Sequence, residues 1–554
     1  MTVRAGQAER RLPLRVLVIA ALGAALAAYY VLVEWAVPLP FYSMKYDPEM
    51  PYFMNSLALF KGVPYRYIDH PGTPVEVLGS LLLAPTRLWT RSVGALFVPF
   101  HLENPGLFLA LGHGVLTLAS LAGVVWLAGR SIRDQTGRGL LASCGVAVSF
   151  FAVHPPDSFR ALTWWSHNSF AFPGGTLLLF WLWLRLRKGE TLSGTTAMTA
   201  GVLAGLLTAV QLYFGAWGIG VAGATGLYAW LRGEGWKEGV RKATASVLGL
   251  ALGFFIGFEP VLHRFRDFYL WVDRLVSRQG RYGTGPEGIS GPGPWLDNMG
   301  WLWNRGPLPF LATGIILGLL VLAIRARRGT ARTDPGWWAL SIALIAQLVA
   351  LWVAIGKHPG TSYLLGVAAV LPILMSLALE AHLRAGGRGP ATAALAGAAT
   401  LALFSVGMVA SGAAHVRTVR QIALAEDVIA REIRERGQDV GVGRSQMTIL
   451  WGYGVPSPCA ALRFGDLYTG QSLQAETDAV CGGEWFYDVW SGLVDRPGAY
   501  QPLSLSEDWD ILIVPEAFRP PLTGRVGEIL DTGIESEGYG HVLIVTPGES
   551  LGAP

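Results

Sequence analysis

The sequence predicts an all-α polytopic membrane domain of about 11 transmembrane helices, with juxtamembrane helices in a long first outer loop, followed by a small soluble α/β domain at the C-terminus. Three observations predict it. First, 52% of the 554 residues are hydrophobic and only 15% are charged, with a mean hydropathy of +0.40; a soluble domain carries about 25% charge. Second, uncharged runs close to the ~20 residues that cross a bilayer recur along the chain. Third, the cations gather in short loops between these runs, which marks a cytoplasmic side rather than nucleic-acid binding.

The first span is Leu14 to Val33, preceded by Arg4, Arg10, Arg11 and Arg15. Glu34 to Phe41 lacks a small-residue cleavage site, so this is expected to be an uncleaved span and not a signal peptide. The N-terminus then lies in the cytoplasm and the next loop outside. Gly106 to Ala128 returns to the basic loop Arg130 to Arg138, and Gly139 to Val153 goes out again, carrying Cys144 as inert packing. Phe172 to Leu184 ends at Arg185, Arg187 and Lys188. Thr191 to Leu231 is uncharged throughout and reads as a hairpin of two spans turning near Phe214 and Gly215. After the cytoplasmic stretch Arg232 to Lys242, Ala243 to Phe258 leads to a long outer loop, Glu259 to Gly306. The remaining spans are Pro307 to Ile324, Gly336 to Ile355, Thr361 to Leu379 and Ala391 to Ser411.

Pro71 to Pro105 is moderately apolar. Counting it as a single span would invert every later loop and put the basic ones outside. Pro74, Glu76, Pro85, Arg87 and Arg91 break it into pieces shorter than a span, so it is expected to form helices on the outer membrane surface. Two crossings, at Val75 to Trp89 and Ser92 to Leu102, would also preserve the parity. The organisation is therefore a transmembrane part over 1–414, with its first outer loop at 34–105, and an extracytoplasmic domain over 415–554. The latter has a charged helical pattern from His415 to Gly437 and strand-like runs at 447–450, 510–514 and 541–545. It holds no Gly-rich phosphate loop, HExxH or GxSxG. Cys459 and Cys481 lie in it, and an oxidising compartment would permit a disulfide between them.

Ionisable residues beside a bilayer are costly unless used or paired, so the outer ends of spans are where chemistry is sought. Tyr46-Asp47-Pro48-Glu49 stands first. Asp and Pro followed by an acid also make an ordinary helix start; the two readings are compatible, since a capping carboxylate is a well-held base. Asp69-His70-Pro71-Gly72-Thr73-Pro74 follows in the same loop and reads equally as a turn before a helix. The loop from His154 through Asp157 to Trp164-Trp165-Ser166-His167 is either a Trp-rich interfacial loop or an acceptor- or metal-site contribution. Lys357-His358-Pro359-Gly360-Thr361, with Tyr363 and Leu364, repeats the His-Pro-Gly-Thr of residues 70–73 at the end of a span; Lys357 is either a snorkelling anchor or a cation for a lipid phosphate. The loop carrying His263, Arg264, Arg266, Arg274, Arg278 and Arg281 is basic yet outside, as anionic headgroups or a phosphate substrate would require.

With these motifs in this order, the chain resembles the GT-C superfamily of membrane glycosyltransferases, such as protein O-mannosyltransferases and lipid A aminoarabinose transferases. Tyr46-Asp47-Pro48-Glu49 sits where that superfamily carries its acidic motif, His70-Pro71-Gly72-Thr73-Pro74 resembles the proline-rich lead-in to its juxtamembrane helix, and Lys357-His358-Pro359 with Tyr363-Leu364 resembles a late signature of some members. The resemblance covers the chain to about Ser411. It implies transfer of a sugar from a polyprenyl-phosphate donor to a glycan, lipid or protein acceptor on the outer face of a bacterial cytoplasmic membrane. Asp47 and Glu49 would be catalytic; Lys357, His358, Arg264, Arg266 and Arg281 would hold the donor phosphate; Asp69, His70, Asp157, His167 and Tyr363 would support the acceptor. The Asp157 loop lacks a clear DxD, so no cofactor is expected, and dependence on a divalent metal is left open. Trp164-Trp165-Ser166 and Trp337-Trp338-Ala339 do not supply a Trp-Trp-Asp motif, which argues against protein N-glycosylation. The competing readings are a transporter of lipid-linked sugars, against which no internal repeat is seen, and a polysaccharide polymerase or ligase of another fold.

Overall fold

A computed structural model describes residues 46–63, 68, 72–116, 118–119, 165–187, 189–279, 285–288, 291–305, 335–357, 416–417, 420, 446–449, 458–482, 484–488, 493–496, 499–502, 511–515, 526–536 and 540–547. The spans expected at 14–33, 139–153, 307–324, 361–379 and 391–411 lie outside them. The chain divides into two compact units. One comprises 1–34, 68–74 and 114–415; the other comprises 35–67, 75–113 and 416–554.

The helices of the second unit's N-terminal part are α1 (Tyr46–Lys61), α2 (Thr73–Ser92), α3 (Phe97–Glu103) and α4 (Pro105–Leu116). The first unit carries α5 (His167–Arg187), α6 (Gly194–Val210), α7 (Gly215–Leu231), α8 (Trp236–Phe258), α9 (Phe265–Ser277), α10 (Pro292–Arg305) and α11 (Pro335–Lys357). Among the described residues, two helical stretches are long and apolar enough to cross a membrane: Trp236–Ser277, within which α8 lies, and Pro335–Ala354 of α11. The apolar runs at 105–116, 177–186 and 194–210 are helical but shorter.

In the first unit the uncharged stretch after Thr191 forms α6 and α7, joined by a 3-10 turn at Leu212–Phe214. Ser193 caps α6 by accepting from the Thr196 amide at 3.0 Å. Glycines let α6 and α8 meet backbone to backbone, as small residues do where helices pack closely. A Cβ on Gly205 would stand 2.1 Å from Leu250 O, and one on Gly253 2.1 Å from Val202 O. Ser246 Oγ crosses this seam to donate to Ala197 O at 3.1 Å. At the start of α8, buried Lys242 forms ion pairs with Glu234 and Glu238, so the cation is not left alone in an apolar setting.

In the second unit α2 runs unbroken for 20 residues through Pro85, where the sequence suggested a break. Leu81, Leu88 and Trp89 are exposed on it, while Val75, Leu83 and Glu76 are buried. The C-terminal region contributes α12 (Pro458–Thr469) and α13 (Gln474–Cys481), bridged by a disulfide between Cys459 and Cys481. It also contributes a seven-stranded sheet. Its strands are β1 (Gln446–Ile449), β2 (Glu484–Asp488), β3 (Leu493–Arg496), β4 (Ala499–Pro502), β5 (Ile511–Pro515), β6 (Val526–Ser536) and β7 (Gly540–Pro547), in the order β4-β3-β2-β1-β5-β7-β6. β1 pairs in parallel with β2 and β5; the outer pairs are antiparallel.

Gly205→Ala is expected to force α6 and α8 apart, because the added methyl meets a backbone oxygen and no side chain can yield. Overpacking of this kind costs about 1–3 kcal/mol, and a lowered thermal midpoint of the detergent-solubilised protein checks it.

Candidate functional site

The helix α1 is buried all round from Glu49 to Ala58, which requires neighbours on every side. Asp47 is its second residue and Glu49 its fourth, so both lie in the first turn, where the helix dipole favours negative charge. Pro48 lies in the first turn, where a missing amide donor costs little, whereas Pro51 lies inside the helix and removes one bond from its ladder.

Four elements of the second unit enclose α1. From α4, His113 places Nε2 2.6 Å from Glu49 Oε1, and Phe108 tilts against Phe53 at 5.1 Å between centroids. From α2, Glu76 Oε1 accepts from Asn55 Nδ2 at 2.9 Å, and Gly79 admits the Ser56 side chain, since a Cβ there would stand 2.1 Å from Ser56 Oγ. From α3, Phe97 stacks on Phe60 at 4.5 Å. From the C-terminal region, α12 packs along α1 at Gly465, where a Cβ would come within 2.9 Å of Met50 O. Lys61 at the end of α1 forms an ion pair with Glu476 on α13. Glu49 is 3% exposed and Glu76 is fully buried. Buried carboxylates are tolerated where hydrogen bonds answer them, and here an imidazole and an amide do so.

A second polar contact lies beside these. His101 Nε2 is 2.8 Å from Thr86 Oγ1, whose own hydroxyl donates to Leu83 O. A hydroxyl has one proton to give, so His101 Nε2 is the donor and its Nδ1 is the bare nitrogen. Burial lowers the His101 pKa to about 4, which keeps it neutral near pH 7.

The disulfide-bridged pair α12–α13 has its own buried network. Arg463 Nη1 donates to Asp478 Oδ1 at 2.8 Å. Asp466 accepts from Thr469 Oγ1 at 2.6 Å and from the Leu473 amide at 3.1 Å, closing the turn between the helices. Burial outweighs these bonds and pushes the Asp466 pKa up to about 6.

In the first unit, the expected donor-binding residues are placed as follows. Arg264 Nη2 pairs with Asp267 Oδ2 at 2.6 Å within one turn. Arg266 is exposed. Lys357, at the C-terminal end of α11, donates to Leu275 O and Val276 O, the last carbonyls of α9; burial lowers its pKa. His167 opens α5 and is largely buried beside Trp165 and Ser166. Asp69, His70, Asp157, Arg281, His358 and Tyr363 lie outside the described residues, and of Asp47 the helix placement alone is described.

The structure thus pairs Glu49 with His113 and, separately, Asn55 with Glu76; neither His113 nor Glu76 is among the sequence candidates for the site. One signal did mark His113, which stands alone as an ionisable residue within the apolar run from Gly106. Among the described residues no group of three or more His, Cys, Asp or Glu is placed to hold a metal ion. Comparison with protein-family models, curated proteins and solved structures gave no match.

The Asp466 shift has a definite sign. Its folded-state pKa lies above the unfolded value, so the protonated form is favoured by folding. Its contribution is greatest below about pH 4 and is lost as pH rises through about 6. Asp466→Asn keeps both acceptor bonds and removes the charge. The variant is expected to be more stable than the parent at pH 7.5, by at most about 3 kcal/mol, with the advantage disappearing near pH 4; thermal unfolding of both proteins across this range checks it.

Proposed function

We propose that this chain is a membrane glycosyltransferase that moves a sugar from a polyprenyl-phosphate donor to an acceptor hydroxyl. The observation that carries the reading is the enclosed acidic start of α1: Glu49 is buried and met by His113 in the turn that also holds Asp47. A carboxylate held in one place by its helix and neighbours suits base catalysis better than a mobile surface acid.

In this reaction Asp47 accepts the proton of the acceptor hydroxyl while the hydroxyl oxygen attacks the anomeric carbon. The new C–O bond forms as the bond from that carbon to the phosphate oxygen breaks, and the anomeric configuration inverts. Base catalysis of this kind is worth ~10²–10⁴-fold. Glu49, fixed by His113, orients the turn. The departing lipid phosphate calls for cations. Of the candidates for this role, Arg264 and Lys357 already have partners within the protein and Arg266 is exposed.

The setting is a bacterial cytoplasmic membrane crossed several times, with the N-terminus inside and the C-terminal region outside. Two apolar helices support a membrane location. The Cys459–Cys481 disulfide supports an oxidising compartment for the region that carries it.

The test uses the purified full chain with undecaprenyl-phosphate sugars as donors, reading release of undecaprenyl phosphate with and without short glycan or lipid acceptors. Asp47→Asn is expected to lower turnover at least ~10²-fold with folding intact, and Glu49→Gln by less. Turnover close to that of the parent in Asp47→Asn contradicts the assignment of the base.

A further inference from the structure

The segment after α8 does not continue that helix. Phe254 and Phe268 are 14 residues apart, a distance of ~21 Å along a straight helix, yet their rings lie 5.8 Å apart. Phe258 also meets Phe268, at 4.7 Å, and Phe255 meets Phe265, at 5.7 Å. The chain therefore folds sharply back on itself within the 3-10 turn Glu259–Arg264, where Pro260 removes a donor from the helical ladder.

Both ends of α9 are then fixed at the ends of apolar helices. Its start follows the C-terminal end of α8 by connection. Its last carbonyls, Leu275 O and Val276 O, are held by Lys357 at the C-terminal end of α11. A helix pinned at both ends to the level where two candidate spans finish lies near that level.

Its side chains form adjacent stripes of the helical period. Arg264, Phe268, Trp271 and Leu275 share the side that carries the ring contacts with α8; Phe268 and Trp271 on it are buried. Phe265, Tyr269, Val272 and Val276 form the next stripe, and it is apolar but turned outward: Tyr269 is 61% exposed and Val276 62%. The exposed apolar residues continue backward through Leu262 to Phe255 and Leu252 of α8. Arg266 and Asp273 lie about a quarter-turn beyond that stripe and Arg274 opposite it, all exposed, with Leu270 exposed between them. Over residues 264–278 four arginines stand against two aspartates, leaving a net positive charge.

We infer that α9 is an interfacial helix lying in the plane of the bilayer, with the Phe265–Tyr269–Val272–Val276 stripe seated at the boundary of headgroups and acyl chains and Arg266 and Arg274 reaching anionic headgroups. An apolar stripe beside a basic polar side is what such a surface selects. The continuity of the stripe with the outward apolar side of α8 favours lipid over a protein partner, because one medium then covers both. The inference rests on α8 crossing the membrane and is independent of any sugar transfer.

The test places one nitroxide label at a time on the full chain, in a Cys144→Ala background with the Cys459–Cys481 disulfide kept. The positions are Tyr269→Cys, Val276→Cys, Arg266→Cys and, on α8, Leu252→Cys. The protein sits in nanodiscs of phosphatidylcholine and phosphatidylglycerol, and collision with oxygen is compared with collision with a water-soluble nickel chelate. Labels at 269 and 276 are expected ~5–10 Å below the headgroups, the label at 252 deeper, and the label at 266 in water. If 269 and 276 meet nickel as freely as 266 while 252 stays in lipid, α9 is not seated and the inference is overturned with the span intact. If 252 also meets nickel, the membrane reading of α8 fails and takes the inference with it. Binding of phosphatidylglycerol to the solubilised protein is expected to fall several-fold in Arg266→Gln/Arg274→Gln; unchanged binding overturns the headgroup contact.

Discussion

The second unit depends on how closely α12 approaches α1. Gly465 offers no Cβ, so the backbone of α12 lies against Met50 and Met54. Only a glycine permits this contact, and it brings together chain segments more than 400 residues apart. The disulfide then ties α12 to α13, and Lys61 on α1 meets Glu476 on α13. Met50 and Met54 of α1 are thus backed by a helix that the C-terminal region supplies. The C-terminal helices act here as a wall of the acidic helix, in the same compact unit as residues 35–67 and 75–113.

Enclosure of this kind sets conditions on polar groups. Each buried carboxylate described in α1 and α2 has an answering donor from another helix: Glu49 has His113 and Glu76 has Asn55. These bonds contribute direction as well as energy. A buried pair tolerates little rotation of either helix, because breaking it leaves a desolvated group behind. His101 and Asp466 show the opposite resolution, in which burial favours the neutral form. In the first unit the glycine seam of α6 and α8 fixes one helix pair, and the Lys357 bond to the end of α9 fixes another.

What the sequence made legible was local. The apolar runs ending at Phe258 and Ile355 leave a record in composition, and helices α8 and α11 occupy them. Asp47-Pro48 reads as a helix start and falls in the first turn of α1, although Asp47 is the second residue of the helix and not its cap. Pro85 reads as a break, yet the helix continues through it, and Thr86 and Thr90 donate to carbonyls three residues back in its C-terminal half. The long-range features left no such trace. His113 answers Glu49 across 64 residues, and nothing in either neighbourhood names the other. Gly465 and Gly205 look like other glycines until the partner backbone is in view. Lys357 reads as a snorkelling anchor or a cation for phosphate because it ends a span; its bonds to the carbonyls of α9 depend on an 82-residue separation that periodicity does not report.

The central claim is that α1 and α12 form one cooperative body. Hydrogen exchange of the full chain carrying Gly465→Leu, followed at residues 46–61 and 458–469, tests it most directly. The account expects both segments to lose protection together, by about tenfold for each 1.4 kcal/mol of lost stability. Loss confined to 458–469, with residues 46–61 exchanging as in the parent, would contradict it.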